Sequence, residues 1–218
     1  MAEGVHHVAQ AKQEGVKVTA ETCPHYLFFD EQDFEEVGPA LKCAPPLRSR
    51  ENVNALWDLV LRGEVDVIQS DHSPCTWEEK AQGMDNIWQA WGGILGIQGM
   101  LPVALTEGVH ARNLALTDVV RMMSANPARL MGLYPRKGAI QPGSDADFTI
   151  VDLDESWTFT KDDILSKNKH SGFEGRNFKG RVLKTFVRGT LVYDQGEIVA
   201  PPGHGMLLKR EHPYQSIA

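Results

Sequence analysis

The hydrophobic pattern reads as helix and strand in alternation over the first 135 residues and as short strands afterwards. Val5, Val8 and Ala9 share one helical face, extended by Lys12, and Gly15 supplies a stop; no strand precedes this helix. Val16 to Ala20 reads as a buried strand leading into the polar loop Glu21-Thr22-Cys23-Pro24-His25-Tyr26. Ser49 is a good N-cap for the clearest helix in the chain, in which Val53, Leu56, Trp57, Val60 and Leu61 recur at the spacing of one apolar face. Arg62-Gly63 closes it. Val65, Val67 and Ile68 then make a short β-branched strand over Val65–Ser70, stopped by Pro74. This order of strand, long loop, helix and strand predicts a parallel pair joined by a right-handed crossover.

Further along, Asp85 to Gln98 is rich in Trp and Gly. Thr117 reads as the N-cap of a helix through Met123, and Pro127 as the opening of another that ends at Gly132. Beyond Pro135 the texture becomes that of an antiparallel β unit: Phe148 to Leu153 is strand-like, and Lys184–Arg188 and Leu191–Tyr193 flank a Gly189-Thr190 turn. The pattern predicts three segments: residues 1–135, residues 136–200 and an irregular surface tail over 201–218.

Composition narrows the partners. With 42% hydrophobic residues in a chain of 218 there is enough apolar surface for a sizeable core. A net charge of -7, with 22 Lys and Arg scattered rather than striped, argues against a nucleic-acid partner. No apolar run reaches the roughly 18 to 20 residues needed to cross a bilayer, and the amino terminus carries no signal pattern, so the expectation is a cytoplasmic protein without a membrane partner. Cys23, Cys43 and Cys75 match neither a disulfide framework nor a zinc knuckle and are expected to be reduced thiols.

Candidate chemistry gathers at the ends of the two parallel strands. Asp71 follows the Val65–Ser70 strand, where α/β barrels keep catalytic groups; a capping Asp before a turn explains the same position. Cys23, His25, Cys43, Asp71, His72 and Cys75 all fall near strand ends and are zinc-ligand types, but their spacing is not that of a closed structural site, and a lone loop histidine is more often simply hydrogen-bonded. Trp91-Gly92-Gly93 would let backbone amides approach a bound molecule; a plain glycine turn accounts for it nearly as well. No nucleophile triad, phosphate loop or dinucleotide fingerprint is legible.

Five ordered blocks carry a resemblance. Glu21-Thr22-Cys23-Pro24-His25-Tyr26, Lys42-Cys43-Ala44-Pro45-Pro46-Leu47-Arg48, Ser70-Asp71-His72-Ser73-Pro74-Cys75, Ala90-Trp91-Gly92-Gly93 and Lys137-Gly138-Ala139-Ile140-Gln141-Pro142-Gly143-Ser144-Asp145-Ala146-Asp147 together resemble the cyclic amidohydrolases, the allantoinases among them most closely. His25 and Trp91 tilt the likeness away from the hydantoinases, whose versions of these two segments carry Gln and Asn. The resemblance implies an α/β fold: the carboxyl-terminal part of a (β/α)8 amidohydrolase barrel over residues 1–135, and a small β-sandwich segment over 136–200. It further implies two divalent metals, usually zinc, with manganese or cobalt as alternatives, and a homo-oligomer acting on a small cyclic ureide. The implied reaction is ring opening of a cyclic amide, allantoin to allantoate, with Asp71 both metal ligand and proton shuttle. Cys43, Ala44, Ser73, Trp91, Gly92 and Gly93 would surround the substrate.

The resemblance also exposes a gap. Such enzymes take their other metal ligands from a His-x-His pair, a bridging lysine and two further histidines on earlier strands, and no His-x-His occurs here. The expectation is a fragment that is inactive alone. Alternatives are a fragment of a dihydropyrimidinase, hydantoinase or dihydroorotase, or a non-catalytic oligomerisation module.

Overall fold

Helix α1 (Ala2–Gln13) ends as the pattern predicts, with Gly15 at a φ of 85° turning the chain back. The computed structural model describes residues 2–213 and Ile217; the predicted tail is irregular through residue 213, and residues 214–216 and 218 of it lie outside the described ones. Strand β1 (Glu21–Thr22) pairs in parallel with β2 (Val67–Ile68), in the register Glu21 to Val67 and Thr22 to Ile68. Both strands are shorter than their β-branched runs. Val16 is 53% exposed, and the buried strand expected over Val16–Ala20 does not form; the strand begins past it at Glu21, where β2 supplies the ladder partner.

Between the strands lie α2 (Pro24–Phe28), α3 (Glu31–Val37) and α4 (Arg50–Leu61). Helix α4 buries Val53, Leu56, Trp57, Leu59 and Val60; Leu61 turns outward and Leu59 takes its place. Ser49 occupies the N-cap position without a side-chain capping bond. The Trp57 indole N–H donates to the Leu27 carbonyl at 2.7 Å, which satisfies the one polar atom of a fully buried ring and fixes α4 against α2. A second anchor sits at the start of β2. Buried Asp66 accepts from Lys12 at 2.5 Å and from the Ala20 amide at 2.8 Å, while its carbonyl accepts from Asn126 at 2.8 Å.

Past β2 come α5 (Trp77–Ala81) and α6 (Met100–Val103), which runs on into a π-helical stretch at Ala104–His110. The two helices expected around Thr117 and Pro127 are one run: α7 (Leu116–Val120), a π-helical stretch (Arg121–Ala125) and α8 (Asn126–Leu130). Ala115, not Thr117, is at its N-cap. The π stretch shifts the hydrogen-bond register just ahead of Pro127, which lacks an N–H, so the helix passes through the proline.

The carboxyl-terminal strands form one antiparallel sheet in the order β3 (Phe148–Thr158), β4 (Asn177–Val187), β5 (Thr190–Asp194) and β6 (Glu197–Ile198). Strand β3 outruns its predicted end because Asp152, whose carboxylate accepts from the Asp154 and Glu155 amides, satisfies backbone freed by a register shift between Asp152 and Ser156. The hairpin turn is Arg188-Gly189, both at positive φ, with Thr190 already paired; Gln195-Gly196 repeats the device. This sheet is a single layer, whereas a sandwich requires two. Phe159, Phe173 and Phe178 join Leu27, Phe29 and Leu41 in a core shared with the helical segment. Among the described residues the parallel strands are β1 and β2 alone, with one parallel bridge from His72 to Ile94, and they do not close a barrel.

Candidate active site

Both parallel strands deliver polar groups to the same end of the pair. Strand β1 passes directly into Cys23, extended at the N-cap of α2, and Pro24 in the first turn sets His25 one step inside the helix. Strand β2 passes through Gln69 and Ser70 to Asp71, whose φ of 44° lies in the left-handed region. One ligand atom each of Cys23, His25 and Asp71 lies within 4.8 Å of the other two. Cys23 and His25 are buried and Asp71 is exposed, so the trio forms a pit with its carboxylate at the mouth.

Gln69 ties Cys23 to Asp71. Its side-chain amide donates to the Cys23 sulfur at 3.3 Å, and its side-chain oxygen accepts the Asp71 backbone N–H at 2.6 Å. The imidazole of His25 is only 1% exposed, yet neither ring nitrogen has a hydrogen-bond partner among the described residues. Burial pushes the His25 imidazole down to about 4, offset in part by the Asp71 carboxylate, so the ring is neutral at ordinary pH. Burial pushes the Cys23 thiol up to about 12, with the charges of Asp71 and Glu21 adding to it.

A second ring of groups surrounds this pit. The bridge between His72 and Ile94 lays residues 91–96 beside 70–73: the Ser73 amide donates to the Ile94 carbonyl at 3.0 Å, and the Trp91 indole donates to the Ser73 hydroxyl at 3.2 Å. The approach is close enough to demand glycine. A Cβ on Gly96 would stand 2.1 Å from the Ser70 carbonyl oxygen, and one on Gly93 2.4 Å from the Ser73 hydroxyl. A Cβ on Gly92 would sit 3.9 Å from that of Ala44, which brings the Cys43-Ala44 loop to the same rim. Of the residues singled out from the sequence, Asp71 stands with Cys23 and His25, Ser73 lies beside Trp91 and Gly93, and Ala44 beside Gly92; Cys43 and Cys75 are buried free thiols outside the trio, and His72 makes the bridge to Ile94.

Two participants left no legible signal. Lys80 is 1% exposed, and its ammonium donates to the Lys42 carbonyl at 2.9 Å and to the Trp91 carbonyl at 3.0 Å, bolting the two rim loops together. Burial pushes it down to about 8. In the sequence it is one more charge in the capped helix Thr76-Trp77-Glu78-Glu79-Lys80, which reads as a solvated face. Gln69 reads as an ordinary strand-end amide.

Comparison with known proteins gives the family. The amidohydrolase family model matches residues 2–192. The chain belongs to the amidohydrolase family. Among curated amidohydrolase relatives, the allantoinase of Escherichia coli (strain SE11) is 44% identical over 207 residues, covering 94% of this chain and 45% of the relative. The chain thus spans less than half the length of that relative. Of solved amidohydrolase structures, the L-hydantoinase (dihydropyrimidinase) of Arthrobacter aurescens superposes with a TM-score of 0.88 at 40% identity, over 91% of this chain and 44% of that one. A D-hydantoinase (dihydropyrimidinase) of Thermus sp. gives 0.90 at 32% identity, over 97% and 47%. No helix of the described residues is long and apolar enough to cross a membrane.

Proposed function

We propose that this chain supplies the carboxyl-terminal side of a cyclic amidohydrolase active site and that the reaction is hydrolytic opening of a cyclic ureide, allantoin to allantoate. The observation that carries this reading is the pit at the strand ends, where exposed Asp71 stands over buried Cys23 and His25. Residues 1–135 would form the closing part of a barrel, residues 136–200 one layer of a small sandwich, and the working unit a homo-oligomer.

The family's chemistry calls for divalent metal, zinc above all, and the donors present are tested by their own chemistry. A thiol, an imidazole and a carboxylate suit one zinc-class cation; they do not make up a bridged pair. Such a cation would polarise the amide carbonyl and acidify water. The protein's part is acid–base and positional. The Asp71 carboxylate takes a proton from the attacking water, the water oxygen bonds the ring carbonyl carbon, and the proton passes to the ring nitrogen as the carbon–nitrogen bond breaks; the new carboxyl group releases the second water proton to solvent, leaving a carboxylate and a ureido amine. Cys23, protonated when no cation is bound, is unsuited to that transfer at ordinary pH, and His25 is buried where Asp71 is exposed. The rim groups at Cys43, Ala44, Ser73, Trp91, Gly92 and Gly93 would hold the ureido and ring-amide edges, with Lys80 keeping the two loops in place.

A second reading rests on the solved relatives, whose names point to hydantoin and dihydropyrimidine rings. A substrate panel separates the two. The chain, mixed with the complementary part of the Escherichia coli allantoinase, is expected to open allantoin in preference to hydantoin, dihydrouracil and dihydroorotate. Preference for hydantoin or dihydrouracil would establish the second reading instead.

A further inference from the structure

We propose that Cys23, His25 and Asp71 form a single cation site on this chain, taking a zinc-class divalent ion through thiolate, imidazole and carboxylate. The inference deepens the hydrolase reading, on which it rests for the cation's role, and departs from the resemblance, in whose implied ligand set Cys23 and His25 have no part.

Three observations converge on it. The ligand atoms already lie within 4.8 Å of one another, and a cation bonded at about 2.0 to 2.3 Å to each needs them about 3.4 to 3.8 Å apart, a side-chain adjustment of about 1 Å. His25 is 1% exposed with both ring nitrogens unpartnered, and buried polar atoms in folded proteins nearly always have a partner. A cation in the pit supplies one. Gln69, finally, donates to the Cys23 sulfur at 3.3 Å and accepts from the Asp71 amide at 2.6 Å, the outer-layer arrangement that orients metal ligands.

Charge and donor softness select the ion. Thiolate and carboxylate together cancel a divalent charge, and a neutral imidazole adds none. Magnesium and calcium take oxygen donors and would leave sulfur and nitrogen unused, whereas zinc and cobalt accept all three. Binding releases one proton, from the Cys23 thiol to solvent, because the thiolate is the ligand.

The test is a titration of the chelator-treated 218-residue chain with cobalt(II), followed by absorbance. We expect sulfur-to-cobalt charge transfer in the near ultraviolet that saturates at one equivalent and is bleached by zinc but not by magnesium. Cys23→Ser should abolish the band, and Asp71→Asn, at an exposed position, should weaken cobalt binding by about tenfold or more with unchanged near-ultraviolet circular dichroism. Absence of the band, its survival in Cys23→Ser, or unaltered affinity in Asp71→Asn would overturn the site. Because the readout is absorbance, failure here removes the cation from these three side chains but leaves Asp71 as proton carrier to the turnover assay, and failure of that assay leaves this site standing.

Discussion

The Asp71 carboxylate lies within 4.8 Å of the buried His25 imidazole, although the two residues leave different strands and neither ring nitrogen of His25 has a hydrogen-bond partner among the described residues. That convergence depends on the crossover between β1 and β2, and most of what can be tested about the site follows from how it is held.

The close approach of residues 91–96 to 70–73 leaves no room for a side chain at Gly96. In Gly96→Ala the new methyl would meet a backbone oxygen, which cannot swing aside as a side chain can. The variant should lose about 1 to 3 kcal/mol of stability, measured as a lower urea midpoint at unchanged slope. A midpoint equal to that of the parent chain would mean that the two segments are not so tightly apposed.

Lys80 joins the Lys42 and Trp91 carbonyls from a buried position. Lys80→Ala should strand both acceptors and open a gap, at a cost of about 2 to 4 kcal/mol. Thermal unfolding followed by circular dichroism reads the loss, and proteolysis should cut first within the loosened rim loops.

His25 gives a pH signature in the metal-free chain. Its imidazole is pushed down to about 4, below the ordinary value of 6.5, so between these values the unfolded chain binds the extra proton and stability falls as pH falls. The loss should reach about 3 kcal/mol near pH 4. Urea midpoints across that window should flatten in His25→Gln; an unchanged slope would show that other groups carry the dependence.

Much of this arrangement was legible in the sequence because it rests on short-range chemistry. The β-branched Val65, Val67 and Ile68 announce β2, Gly63 ends α4, and the five ordered blocks lead to the family. What stayed hidden depends on distant partners. Nothing near Lys80 says that two carbonyls from other loops will meet its ammonium. Cys23, His25 and Asp71 look like isolated residues until the parallel register brings Thr22 opposite Ile68. Strand β3 runs past the strand-like stretch ending at Leu153 because the Asp154 and Glu155 amides find the Asp152 carboxylate, a contact that the acidic run itself does not announce. On α4 the period alone favours Leu61 over Leu59, and the packing of neighbours decides for Leu59.

The central claim is that Asp71 carries the proton in ring opening, and its most direct measurement is allantoate formation by the metal-supplied chain mixed with the complementary part of the Escherichia coli allantoinase, parent against Asp71→Asn. Turnover by the parent and a loss of about 100-fold or more in the variant, with association intact, is the predicted result. Near-equal turnover in Asp71→Asn would contradict the account.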